Sequence, residues 1–134
     1  MNNEIISLAK RFRISVLSDG TFKASPELSN EAYLLELLRA EQKARDERAT
    51  AERLKQARLP TFKAFEDFDT EFQKGVTAKQ LEMLANLEWL DALFNLILIG
   101  PPGTGKTHIS LAVGNKAARN GYNVFFSTMD NLVH

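Results

Sequence analysis

Eight consecutive residues, GPPGTGKT at positions 100–107, have types and spacing that could do specific chemistry. Gly100, Gly105, Lys106 and Thr107 satisfy G-x-x-x-x-G-K-[ST], the pattern of a loop that wraps phosphate oxygens. Glycines at 100, 103 and 105 permit backbone angles closed to other residues and let amides approach an anion without a Cβ in the way. Pro101, Pro102 and Thr104 fill the remaining loop positions. A helix starting near Lys106 would add its N-terminal amides and the positive end of its dipole. Lys106 is expected to reach the β- and γ-phosphates of a nucleotide. Thr107 is expected to give its hydroxyl to Mg²⁺, whose other positions go to phosphate oxygens, water and a carboxylate elsewhere in the chain. His108 is counted with the loop as a residue that could sense a phosphate. Its side chain would leave the helix on a different side from Thr107, which leaves a structural role open.

Two fixed glycines, a lysine and a Ser/Thr match by chance in about a few per thousand chains of this length. The flanking pattern narrows the reading further. Residues 96–99, LILI, form a short apolar run without polar alternation, as in a strand buried on both faces of a parallel sheet. Residues 107–119 carry helix formers, with apolar spacing at Ile109, Ala112, Val113 and Ala117, and Asn120 and Gly121 read as the helix end. Val124, Phe125 and Phe126 read as a second strand. Strand, loop, helix and strand make a βαβ unit, so the expected class is an α/β phosphate-loop fold preceded by a helical region.

The elements upstream of the loop are helical by pattern. Ile5, Leu8, Ala9 and Phe12 are spaced as one buried helix face, and Ser18, Asp19 and Gly20 as a turn. Ser29 is the expected N-cap of a second helix with Glu31 in its first turn and Leu34, Leu37 and Leu38 on its apolar face. Residues 39–58 of that helix hold seven basic and four acidic side chains, with i, i+4 pairs such as Glu41 and Arg45. They form either a solvated face or a surface for DNA or a protein partner. Pro60 cannot continue the hydrogen-bond ladder and marks the boundary between a helical region, 1–60, and a nucleotide-binding part, 61–134. Phe62, Phe65, Phe68 and Phe72 follow, as core or as a wall for a base. Thr77 and Gln80 fit a capping box, and Leu81, Leu84, Leu87, Leu90 and Leu93, with Trp89, read as one largely buried helix. Asp130 is read as a helix N-cap or, less simply, a catalytic base.

Composition sets outer limits. The chain has 134 residues, 44% of them hydrophobic, and 17 Lys+Arg against 17 Asp+Glu. It therefore generates no strong overall field to recruit a polyanion, and any such role must come from a local patch. With no cysteine there is no disulfide framework or thiolate chemistry, and two histidines, His108 and His134, are too few for a metal cluster. No run approaches the roughly 18 apolar residues of a membrane span, and the N-terminus lacks a signal-peptide core, so a cytoplasmic protein is expected.

Taken together, GPPGTGKTH, the preceding LILI, the helix ending KAARNGYNVFF, the run LEMLANLEWLDALFN and the earlier LPTFKAFEDFD resemble the IstB-like helper ATPases of insertion sequences. These are AAA+ relatives of the DnaC-type helicase loaders. The resemblance covers about residues 28–133 and implies an ATP-dependent protein that oligomerises, binds DNA and helps a transposase engage its target. Gly100, Gly103, Gly105, Lys106 and Thr107 carry over as phosphate and magnesium residues. Such a protein is expected to continue past His134 with an acidic strand, sensor residues and an arginine finger. The chain therefore reads as the front part of a longer protein that binds ATP, with hydrolysis doubtful. The competing readings are a helical interaction module formed by the N-terminal region and a fragment of another phosphate-loop phosphotransferase.

Overall fold

A computed structural model of the chain describes residues 2–133. It contains seven α-helices among the described residues and divides into two compact units, Met1–Ala49 and Thr50–His134. No β-strand is present among those residues, which overturns the expected α/β class and its βαβ core. A strand exists by virtue of a hydrogen-bonded neighbour, and residues 95–104 make no backbone–backbone hydrogen bond among the described residues. The apolar run 96–99 is also not buried on both faces: Ile97 is 77% and Ile99 91% exposed. In the stretch 124–126 the recorded backbone bond is from Phe126 N to the Ala57 carbonyl (2.7 Å), a single tie to a helix end and not a ladder.

In the first unit, α1 (Asn3–Arg11) is capped by the Asn2 side chain, which accepts from the Glu4 amide at 2.7 Å. Ala9 is buried, but Ile5, Leu8 and Phe12 are exposed, so the face that the sequence spacing marks as internal is largely open. Arg13, with φ +58, turns the chain into the short α2 (Ser15–Ser18). Asp19 then closes a turn by accepting from the Thr21 hydroxyl and amide, bonds that lower its pKa. The third helix, α3 (Asn30–Ala57), starts where Ser29 Oγ accepts the Ala32 amide at 3.2 Å, and the boundary between the two units falls within it.

Glu41 of α3 organises this unit. Its carboxylate accepts from the Ser15 hydroxyl (2.9 Å) and Val16 amide (3.1 Å), capping α2 from 26 residues away, and from Arg45 Nε at 3.0 Å. Burial alone would raise its pKa. The Val16 amide, Arg45 and Ser15 outweigh that effect and lower it from 4.5 to about 2. A carboxylate whose folded pKa is depressed contributes stability in full above its unfolded value and loses it as pH falls through the folded one. Glu41→Gln is therefore expected to cost about 1.5 to 3 kcal/mol at pH 7, the range for hydrogen bonds to a charged group. It should also flatten the loss of helicity between pH 4.5 and 2, the window set by the two values. Circular dichroism through an acid titration checks this, and identical profiles for both proteins would remove Glu41 from that role.

In the second unit, the end of α3 is tied to α6 (Lys106–Arg119). Arg53 Nε donates to the Ala118 carbonyl at 2.8 Å, and a Cβ on Gly114 would meet Leu59 at 3.1 Å. The capping box forms as Thr77 and Gln80 specify and starts α4 (Ala78–Ala85). The leucine run is not one buried helix: Leu87 takes φ +61 and breaks it before α5 (Glu88–Asp91). Leu81 and Leu87 are buried, while Leu93 is 89% exposed. The core gathers Phe68, Leu81 and Ile109, flanked by Phe65, Val76, Leu84, Leu98 and Val113. A last short helix, α7 (Met129–Val133), holds Asp130 in its first turn, and Thr128 Oγ1 accepts the Asn131 amide at 3.2 Å.

Candidate functional site

The glycine-rich loop leads directly into α6. Gly105 is the helix N-cap, at φ +88 and ψ 11, and offers no side-chain cap. The first helical bond runs from Ile109 N to the Gly105 carbonyl at 3.0 Å, so the amides of Lys106, Thr107 and His108 have no intrahelical acceptor. Gly103 is also left-handed, at φ +81. Thr104 Oγ1 donates to the Pro101 carbonyl at 2.8 Å and tightens the turn, and a Cβ at Gly100 would lie 3.0 Å from that hydroxyl. A loop with two left-handed glycines and uncapped amides at a helix start is chemically suited to an anion.

Lys106 folds back over the loop, its Nζ donating to the carbonyls of Gly100 and Pro101. Thr107 is exposed on the first turn, next to Lys106. A cavity of about 530 Å³ lies beside them, bounded by Leu96, Leu98, Lys106, Thr107, Ser110 and Phe126 among others. Among the described residues no group of three or more His, Cys, Asp or Glu side chains is placed to hold a metal ion. His108 points elsewhere: its Nε2–H donates to the Ala64 carbonyl at 2.9 Å, and its ring meets Phe68 edge-on at 5.4 Å.

Two contacts at the loop come from residues outside the glycine-rich motif. Phe68 is buried against Gly105, where a Cβ would come within 2.5 Å of its ring. Gln73 donates its amide to the Gly103 carbonyl at 3.1 Å. Phe68 belonged to a visible phenylalanine run, whereas nothing in the local pattern marks Gln73. Of the other phenylalanines, Phe65 is partly buried while Phe62 and Phe72 are exposed. Arg45 and Arg48 do share a face of α3, as their spacing requires. Their guanidinium groups are engaged internally, Arg45 on Glu41 and the Arg13 carbonyl, Arg48 on the Ser15 hydroxyl.

The site is thus a glycine-rich loop and helix start with a lysine and a threonine at its mouth, carried on a helical scaffold. The chain belongs to the IstB-like ATP binding protein family, whose model matches residues 13–134. It is 43% identical to a Pseudomonas aeruginosa protein described as ATP-binding in insertion sequence IS21, over 82% of this chain and 42% of that protein. A Sinorhizobium fredii protein similarly described is 32% identical over 96% of this chain and 51% of its own length. One from insertion sequence IS5376 of Geobacillus stearothermophilus is 28% identical over the full chain and 55% of its own length. The chain therefore spans about half the length of the curated relatives it matches. No helix among the described residues is long and apolar enough to cross a membrane.

Proposed function

We propose that residues 100–107 form a Walker A loop that binds the phosphates of Mg-ATP. Gly100, Pro101, Pro102, Gly103, Thr104 and Gly105 wrap the phosphate oxygens, the first amides of α6 donate to them, and Lys106 leaves its loop carbonyls to neutralise the β- and γ-phosphates. Thr107 takes one position on Mg²⁺. His108, counted with the loop in sequence, anchors the preceding segment through Ala64. The observation that carries this reading is the uncapped α6 N-terminus, with left-handed Gly103 and Gly105 directly before it. The relatives, described as ATP-binding, support it independently. Their insertion-sequence origin supports a wider role for the whole protein as an ATP-dependent helper of DNA transposition, with a transposase, DNA and further copies as partners. The assigned residues serve binding, and none is given the role of orienting a hydrolytic water.

The test is a thermal-shift and calorimetric comparison of wild type and Lys106→Ala with Mg-ATP. A charge-assisted contact to phosphate contributes about 1.5 to 3 kcal/mol, or roughly 10- to 150-fold in affinity. Wild type should be stabilised by Mg-ATP, and Lys106→Ala should lose most of that stabilisation. Equal stabilisation of both would remove Lys106 from the site. A second reading, that the N-terminal unit is a helical interaction module, is favoured by the exposure of Ile5, Leu8, Phe12, Leu34 and Leu38. Concentration-dependent sedimentation that persists without nucleotide would support it.

A further inference from the structure

We propose that Gln73 is a positioning residue for the phosphate loop, presetting its shape before any ligand arrives; this rests on the loop being the phosphate site. Residues 64–73 touch the loop and the first turn of α6 at three separate points. The Gln73 side-chain amide donates to the Gly103 carbonyl at 3.1 Å. The Phe68 ring lies against Gly105 closely enough that a single Cβ would come within 2.5 Å. His108 of α6 donates Nε2–H to the Ala64 carbonyl at 2.9 Å, closing the clasp from the helix side.

These contacts divide the work. Phe68 and His108 fix the point where loop becomes helix, at Gly105. From outside the loop, Gln73 reaches the outer turn at Gly103, where a Cβ would meet nothing within 4 Å. Gly103 sits at φ +81. Glycine visits such angles freely but also leaves them freely; the Thr104 bond to the Pro101 carbonyl closes the turn from within the loop, and the Gln73 bond to the Gly103 carbonyl ties it to the neighbouring segment. The segment itself is anchored independently of the Gln73 side chain: Asp69 Oδ1 accepts the Glu71 and Phe72 amides at 2.9 and 3.2 Å, and the Gln73 backbone N–H donates to the Asp69 carbonyl at 2.9 Å. Gln73 is thus a donor on a firm base, aimed at the freest turn of the loop. A loop held in its binding shape loses less conformational freedom when phosphates bind, and the gain appears as affinity for the phosphates whatever else the ligand carries.

Gln73→Met keeps the length of the side chain and removes the donor. Binding of Mg-ATP and of inorganic tripolyphosphate should weaken by the same factor, about three- to ten-fold for one neutral hydrogen bond, with the unliganded melting temperature close to wild type. Nitrogen-15 relaxation on the unliganded chain should show lower order at Gly103 and Thr104 in the variant and no change at Leu111 or Ala112 in α6. Unchanged order at Gly103 would overturn the proposal even if no ligand bound either protein. Unchanged affinity of Gln73→Met for tripolyphosphate, with wild type binding it, would also overturn it. Failure of wild type to bind tripolyphosphate or Mg-ATP, with the order difference present, would instead count against the phosphate reading of the loop.

Discussion

Gly105→Ala is expected to destabilise the second unit by about 2 to 5 kcal/mol, through two independent penalties. At φ +88 and ψ 11 the residue is left-handed, and an alanine there costs roughly 1 to 2 kcal/mol. Its Cβ would also lie 2.5 Å from Phe68 Cε2 and 3.1 Å from Cζ. That ring has little room to retreat: Phe68 is 8% exposed, packed with Leu81 and Ile109 and met edge-on by His108. Overpacking of this kind adds about 1 to 3 kcal/mol. Gly103→Ala separates the two terms, because Gly103 has a similar φ of +81 with nothing within 4 Å of its Cβ. It should lose only the conformational part. Urea denaturation of the two variants measures the difference, and equal losses would mean that Phe68 does not confine the loop.

Where the sequence was legible, the signals were local and complete. The start of α6 follows from glycine before a run of helix formers, and its end from Asn120 with Gly121 at φ +94. Ser29 and the Thr77–Gln80 box likewise place helix starts, because a cap is satisfied by amides two or three residues away. The strands failed because an apolar run such as 96–99 states only that burial would be favourable. A ladder needs a second segment, and periodicity does not name one. The leucine run failed on geometry. A spacing of three falls short of the helical 3.6, so leucines at 81, 84, 87, 90 and 93 drift round the helix by about 60° per step and cannot share one face. The helix ends at Ala85, and Leu87 takes φ +61, a turn that apolar spacing does not announce.

Glu41 and Gln73 escaped for a different reason. Each acts on a partner distant in sequence, the α2 N-terminus for Glu41 and the Gly103 carbonyl for Gln73. Helical spacing names the Glu41–Arg45 pair, but nothing local points Glu41 to the Val16 amide, and it is buried while Glu47 and Glu52 are exposed. The proposed phosphate loop is legible as a pattern because its residues are contiguous, positions 100–107. The residues that hold it in shape are not, because they converge on it from elsewhere in the chain.

The core beneath the loop supplies the other large effect. Ile109, one turn into α6, is 2% exposed and packs with Phe68 and Leu81. Truncating a buried isoleucine to alanine removes its transfer free energy and leaves a cavity, about 2 to 5 kcal/mol in all, while Ile109→Val should cost only about 0.5 to 1.5 kcal/mol. Ile109→Ala should also loosen the loop, since the same side chain backs the Phe68 ring that lies against Gly105. Phosphate affinity should therefore fall along with stability. Ile99→Ala is the informative contrast: it removes the same atoms from a residue one position before the loop, but Ile99 is 91% exposed. A substitution there should stay within about 0.5 kcal/mol of wild type. Urea denaturation of Ile109→Ala, Ile109→Val and Ile99→Ala in one buffer sets the three side by side. A loss above about 1 kcal/mol from Ile99→Ala would mean that Ile99 is buried in solution and would overturn its exposed position.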